Sequence, residues 1–107
     1  MQTTLPFTTI PASGEACEIE FPLHPETASA EQVGGMLTAI LDSLSREITA
    51  GERVGNGDVL QALAMALAVR ARMVDAPAAV TGPLLHELLD SAMAAVGRAK
   101  AIRTGRA

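Results

Sequence analysis

The sequence predicts a mainly α fold, a three-helix bundle with an N-terminal extended arm or β-hairpin, and three features of the chain support this prediction. The chain has 107 residues, of which 49% are hydrophobic, so it can bury the core of one domain. Twenty residues are alanine and two are aromatic, which favours closely packed helices over a β-sandwich. Apolar residues recur every three or four positions from residue 24 onwards, whereas they alternate with polar residues before it.

Residues 1–23 have the alternating pattern of a β-strand. In the second half of this segment the apolar side chains alternate with glutamate and proline: Cys17, Ile19, Phe21 and Leu23 against Glu18, Glu20 and Pro22. Leu5 and Phe7 alternate more weakly around Pro6, and the turn-forming residues 11–14 separate the two pieces. The segment therefore predicts a hairpin or extended arm, and because proline donates no backbone hydrogen bond, its strands are expected at a sheet edge.

The first helix is predicted over residues 29–50. Ser29 followed by Gln32 matches a capping box, and Gly51 follows the last turn. The apolar side chains step by three and four along one face: Val33, Leu37, Ile40, Leu41, Leu44 and Ile48. Two glycines, Gly34 and Gly35, cost up to ~2 kcal/mol of helix propensity relative to alanine. Their presence near the helix start indicates close packing of another segment at that turn.

The second helix is predicted over residues 58–75, with Asp58 as its N-cap and Pro77 beyond its end. Gln61 is the one polar residue between Val59 and Val69, so this helix has hardly any polar face. One apolar stripe follows the leucines, and a second stripe of valine and methionine follows another side. The residues predicted to form a self-association surface are Val59, Leu63, Met65, Val69 and Met73.

The third helix is predicted over residues 83–100, with Pro83 in the first turn, where proline is favoured. Leucine and alanine give it a wide apolar stripe. The basic tail of residues 100–107 is expected to fray. The expected organisation is thus an arm of residues 1–23 and a helical bundle of residues 24–107, which together form one domain.

A helix that is apolar on nearly every side needs cover from water. A membrane span is excluded because the apolar run is shorter than about 20 residues and ends in Arg70 and Arg72. The other two helices can shield about one side of the second helix. We therefore predict that a second copy, or the N-terminal arm, covers the rest, and that the chain is a homodimer with no membrane contact.

The charges are divided unevenly between the halves of the chain, although the net charge is −4. Residues 1–60 hold nine acids and two bases, a balance of −7, and residues 61–107 hold a balance of +3. This division fits two halves that face each other, or an acidic surface that binds a basic partner. The acidic surface of the arm comprises Glu15, Glu18 and Glu20.

The basic residues that could contact phosphate lie near the C-terminus: Arg98, Lys100, Arg103 and Arg106. A helix-turn-helix is disfavoured because the stretch from Pro77 to Gly82 is longer than the usual turn. Leu84 and Leu85 at the start of the third helix are also poor residues for contacting base edges. Nucleic-acid binding is therefore not expected as the main function.

Chemical motifs are nearly absent, so we predict no catalytic residues, no cofactor and no metal. His86, Glu87 and Asp90 match part of a zinc motif, but the sequence supplies no third ligand at a suitable spacing. His24 has no second histidine or cysteine near it. Cys17 has no neighbouring base to activate its thiol and is expected to be a small core residue.

The function that these features predict is that of a non-catalytic protein–protein interaction module: an adaptor, a regulator or inhibitor, or a small subunit of an assembly that acts as a self-associating helical bundle. The alternatives are a DNA-binding regulator that uses the basic C-terminal tail, and a small carrier of hydrophobic ligands. The single Cys17 and an N-terminus without the pattern of a signal peptide predict a cytoplasmic protein. The excess of arginine over lysine is typical of GC-rich bacterial genomes.

Overall fold

A computed structural model describes residues 2–9, 14–51 and 53–101, and in these ranges the predicted mainly α fold with an N-terminal hairpin is confirmed. The described elements are, in chain order, β1 (Thr4–Thr9), β2 (Cys17–Pro22), α1 (Ala30–Ala50), α2 (Asn56–Arg72), α3 (Ala78–Gly97) and β3 (Lys100–Ala101). By its internal contacts the chain divides into two compact units. One is Gly35–Leu85, and the other joins Met1–Gly34 to His86–Ala107.

The hairpin register explains why a proline is tolerated in β1. Pro6 stands opposite Glu20, and the Leu23 N–H donates to the Thr3 carbonyl at 2.8 Å. Hydrogen-bonded and non-hydrogen-bonded pairs alternate along an antiparallel ladder. Thr3 and Leu23 form a hydrogen-bonded pair, so Pro6, three positions further along β1, belongs to a non-hydrogen-bonded pair. Its missing N–H would therefore point to the free edge of β1, and no ladder hydrogen bond is lost. Residues 11–13 of the predicted turn lie outside the described residues, whereas Gly14 adopts a φ of 86°, which suits glycine.

The two faces of the hairpin differ in exposure, as the alternation predicts. Ile19 is 6% exposed, whereas Glu18 and Glu20 on either side of it are exposed. The rings of Phe7 and Phe21 share the face of Ile19, with their centroids 6.4 Å apart and their planes tilted by 50°. This distance is in the range of attractive aromatic pairs. The apolar face of the hairpin therefore supplies part of the small core of its unit.

A third strand corrects the expectation that the tail frays from residue 100. Lys100 and Ala101 pair antiparallel with β2, opposite Glu18 and Cys17 respectively. The ammonium of Lys100 and the carboxylate of Glu18 thus belong to directly opposed residues, an arrangement that stabilises a sheet. Residues 102–107 lie outside the described residues.

The two glycines near the start of α1 have different surroundings. A Cβ on Gly34 would lie 3.3 Å from Cδ1 of Leu5, whereas one on Gly35 would have no neighbour within 4 Å. The close approach predicted for this turn is therefore found at Gly34, and its partner is a side chain of β1.

Because Gly35 has open space, Gly35→Ala is expected to stabilise the protein by ~0.5–1 kcal/mol through its better helix propensity. Gly34→Ala is expected to gain less, since Leu5 would have to move by a few tenths of an ångström. Thermal unfolding of both variants by circular dichroism measures the difference. A larger gain for Gly34→Ala would contradict the packing described for Leu5.

The predicted ends of α1 are confirmed. The Gln32 N–H donates to Oγ of Ser29 at 3.1 Å, which caps the helix start. At the other end, the Gly51 N–H donates to the Glu47 carbonyl at 2.9 Å. A side chain at Gly51 would collide with Val54, whose Cγ2 would lie 2.6 Å from the added Cβ. Glycine therefore fits where the chain leaves α1, and a larger residue would displace Val54.

The prediction that Asp58 is the N-cap of α2 is wrong by three residues. Gly55 is the N-cap, with φ −88° and ψ 159°, and Asp58 lies in the first turn. Its carboxylate accepts a hydrogen bond from the Gly55 N–H at 3.2 Å. The acidic side chain thus stabilises the helix start from inside the first turn. At the other end α2 stops at Arg72, ahead of the predicted residue 75.

The start of α3 also lies earlier than predicted, at Ala78, because Pro77 begins the helix rather than following the previous one. The Pro77 carbonyl accepts hydrogen bonds from the Val80 and Thr81 N–H groups at 2.9 and 3.1 Å. Pro83 consequently lies inside α3. It costs one intrahelical hydrogen bond, while the preceding Gly82 has no Cβ to collide with the proline ring.

Candidate self-association surface

Few side chains are removed from water in the described residues. Ile19 and Ala95 are the buried ones, with exposures of 6% and 2%, and both belong to the unit that contains the hairpin. No described residue of α1 or α2 is buried. The helices of the other unit are therefore not closed into a core by the residues of that unit.

Large apolar side chains are exposed along all three helices and near their ends. They are Val33, Met36, Ile40, Ile48, Val54, Leu60, Met65, Leu67, Val69, Met73, Val74, Val80, Leu88, Leu89, Met93 and Val96. A folded monomer exposes some apolar residues singly, but a continuous group of them marks a surface for interaction.

The structure divides the self-association residues predicted on α2 into two groups. Val59 and Leu63 are half-buried. Met65, Val69 and Met73 are exposed by 57%, 62% and 68%. At about 100° per residue, these last three follow one another at steps of about 40°, so together they span about 80° on one side of the helix. We call them the α2 stripe.

Next to this stripe, α1 and α2 flank an open apolar groove of about 450 Å³. It is lined by Ala39, Ile40, Ser43, Leu44, Ala62, Leu63 and Ala66, and we call it the α1–α2 groove. Ala62 and Ala66 lie within about 60° of Val69 around the axis of α2. The groove and the α2 stripe are therefore neighbouring parts of one surface.

Four of the seven groove residues are alanine or serine, which carry little apolar surface and do not stand out in the sequence. The signal that could have found them is spacing. Ala39 with Ser43, and Ala62 with Ala66, are pairs of small residues four positions apart. Such pairs lie on one face of a helix and allow close approach of another helix.

The residues considered for catalysis or metal binding are not brought together. His86, Glu87 and Asp90 are exposed, and no group of three potential metal ligands occurs among the described residues. Cys17 has intermediate exposure, with its Sγ 3.8 Å from the Glu15 carbonyl. These positions do not assemble a reactive group.

A small cavity of about 160 Å³ lies between the end of the hairpin and α3, and its lining includes His24, Glu87 and Ser91. Nδ1 of His24 accepts a hydrogen bond from the Glu26 N–H at 3.1 Å. The neutral ring therefore carries its proton on Nε2, where it cannot accept a proton from a serine hydroxyl. This hydrogen bond does not favour a role for His24 as a general base.

The structure describes some of the charged residues that are predicted to bind partners. Glu15, Glu18 and Glu20 are exposed, and Glu18 stands opposite Lys100 in the sheet. Arg98 is exposed beyond the end of α3. Arg103 and Arg106 lie outside the described residues. Lys100 is thus placed beside an acidic residue, which does not favour a phosphate contact by this lysine.

Comparison with known proteins identifies no family: no family model matches the sequence, and no curated protein or solved structure is significantly similar to it. Among the described residues, no helix combines the length and the apolar character that crossing a bilayer requires.

Proposed function

We propose that this chain is a non-catalytic protein–protein interaction module that acts as a self-associating helical bundle, most simply a homodimer in the cytoplasm. The observation that carries the proposal is a contrast on α2: none of its residues is buried, although Gln61 is the one polar residue between Val59 and Val69. The hydrophobic effect favours covering such a surface, and each large apolar side chain that becomes fully buried contributes about 1.5–3 kcal/mol.

The position of the exposed residues supports the same proposal. Met65, Val69 and Met73 are each more than half exposed, and they lie beside the apolar α1–α2 groove. Exposed apolar residues that adjoin an apolar groove are typical of a surface for interaction. A second copy could therefore supply the cover that α1 and α2 lack.

Sedimentation equilibrium at micromolar concentration tests the proposal. The expected mass is about twice the 11.0 kDa of one chain, since most soluble homo-oligomers are two-fold dimers. Circular dichroism of the same sample has to show the helices of the folded chain. A helical monomer at these concentrations would contradict self-association.

The α1–α2 groove supports one further candidate, a carrier of small hydrophobic ligands. Its volume of about 450 Å³ falls in the usual range of ligand pockets. A carrier should retain an apolar molecule through purification, which native mass spectrometry would detect as a mass above that of the chain. We favour self-association because the exposed apolar residues of α2 extend well beyond the groove.

A further inference from the structure

We propose that two copies pack α2 against α2 in antiparallel orientation, across a two-fold axis near Met65, so that Asp58 of each copy lies beside Arg72 of the other. This arrangement rests on the self-association proposed above and specifies its geometry. It follows from three properties of α2: the line of residues on one side of the helix, the sign of the charges at its ends, and the mixture of large and small side chains between them.

Asp58, Met65 and Arg72 form a straight line along α2. They are seven residues apart, and seven residues fall only about 20° short of two full turns. All three are exposed. At 1.5 Å per residue, Asp58 and Arg72 lie about 21 Å apart with Met65 halfway between them. This line, which crosses the α2 stripe at Met65, thus has an acidic residue at one end and a basic residue at the other.

The charges distinguish the two ways in which identical helices can pack. In an antiparallel pair centred on Met65, each Asp58 meets Arg72 of the second copy, so both ends are complementary. In a parallel pair the two aspartates meet each other, and so do the two arginines. Opposite charges at an interface fix its register, and like charges placed together disfavour the alternative.

The shape of the surface is self-complementary as well. A two-fold interface brings the same patch of both copies together, so one copy must carry both the protruding and the recessed part. On α2 the protruding part is the α2 stripe, and Ala62 and Ala66 beside it belong to the α1–α2 groove. In the register that joins Asp58 to Arg72, Met65 lies close to Ala62 of the other copy and Met73 lies opposite Gly57, so large side chains meet small ones. Methionine adapts well to such gaps.

Disulfide trapping in the full chain tests the orientation. Three variants, Asp58→Cys, Arg72→Cys and Leu60→Cys, are made in a Cys17→Ser background, so that each chain has one thiol. Asp58→Cys and Arg72→Cys chains are mixed under mild oxidation, and the products are separated by mass. Because the antiparallel pair joins residue 58 to residue 72, the mixed disulfide should exceed either symmetric disulfide by about tenfold.

Leu60→Cys is the matched control, because Leu60 is 67% exposed but lies about 140° from Met65 around the helix. It should form disulfide slowly. Two results would overturn the antiparallel arrangement, even if sedimentation still shows a dimer. One is that the symmetric disulfides 58–58 and 72–72 form faster than the mixed disulfide 58–72. The other is that Leu60→Cys forms a disulfide efficiently. If the Cys17→Ser chain is instead a monomer, that result contradicts the proposed function, on which the arrangement rests.

Charge exchange gives a second measurement. Asp58→Arg and Arg72→Asp should each raise the dimer dissociation constant by about tenfold, because each creates two like-charged contacts across the two-fold axis. The chain with both substitutions should recover most of the affinity. Asp58→Arg also removes the hydrogen bond to Gly55, but the double variant shares that loss. A double variant as weak as the worse single variant would therefore contradict the proposed pairing.

Discussion

Replacing Met65 and Val69 together by glutamate is expected to turn the dimer into a monomer at micromolar concentration. Both side chains are more than half exposed in the single chain, so their substitution leaves its fold intact. In the dimer they would be covered, and the two-fold axis makes every change count twice. With about 1.5–3 kcal/mol for each buried side chain, the dissociation constant should rise at least ~100-fold. Sedimentation equilibrium measures this change.

Leu60→Glu is the control for this experiment. It introduces a glutamate into the same helix at a position that is 67% exposed, against 57% for Met65, but on another side of α2. Its dissociation constant is expected to stay within a few-fold of that of the wild type. Equal weakening by the control and by the double variant would mean that association does not depend on the α2 stripe.

The parts of the fold that the sequence predicts well are those governed by local patterns. The alternation around Ile19 predicts a strand with one buried face, and the structure has it. The spacing of apolar residues in the helices, with Ser29 before α1 and Gly51 after it, predicts the ends of that helix. In each case the physical cause acts within a few residues along the chain, so one sequence is enough to recognise it.

The errors occur where one residue type suits two positions. Asp58 is favourable both as an N-cap and in the first turn, because its carboxylate interacts with free N–H groups in either place. Pro77 and Pro83 each suit a helix start, and the structure uses the first of them. Pairing of Lys100 with β2 depends on residues more than 80 positions apart, which no local pattern reveals.

For the candidate site, the sequence predicts that α2 has too much apolar surface, and it names Met65, Val69 and Met73. It does not reveal the α1–α2 groove, because a groove depends on how far apart two helices lie. It also gives no distinction between Val59 and Met65, which differ in exposure. Amino-acid patterns thus identify apolar surface, whereas coordinates are needed to separate the part turned inward from the part left for a partner.

Ile19→Ala is the second substitution with a large expected effect, because it acts on the small core of the hairpin unit. Ile19 is 6% exposed and stands opposite Phe7 on the apolar face of the sheet. Truncating a buried isoleucine to alanine costs about 2–5 kcal/mol, since the contacts are lost and the cavity is filled only in part. Because Ile19 and Ala95 are the buried residues in the described part of the chain, this loss is expected to open the hairpin.

Backbone amide exchange reports on the hairpin separately from dimerisation. In the wild type, the backbone N–H groups of Phe7 and Phe21 belong to hydrogen-bonded pairs of the ladder, so their hydrogens should exchange slowly. The N–H of Thr8 belongs to a non-hydrogen-bonded pair and should exchange fast. Ile19→Ala should remove this difference, whereas Glu20→Ala, on the exposed face of the same strand, should keep it and change stability by less than about 0.5 kcal/mol. If Phe7 and Phe21 still exchange slowly in Ile19→Ala, the sheet is held by something other than its apolar face.

Both variants should be measured with the Met65 and Val69 substitutions present. Association then makes no contribution to the comparison.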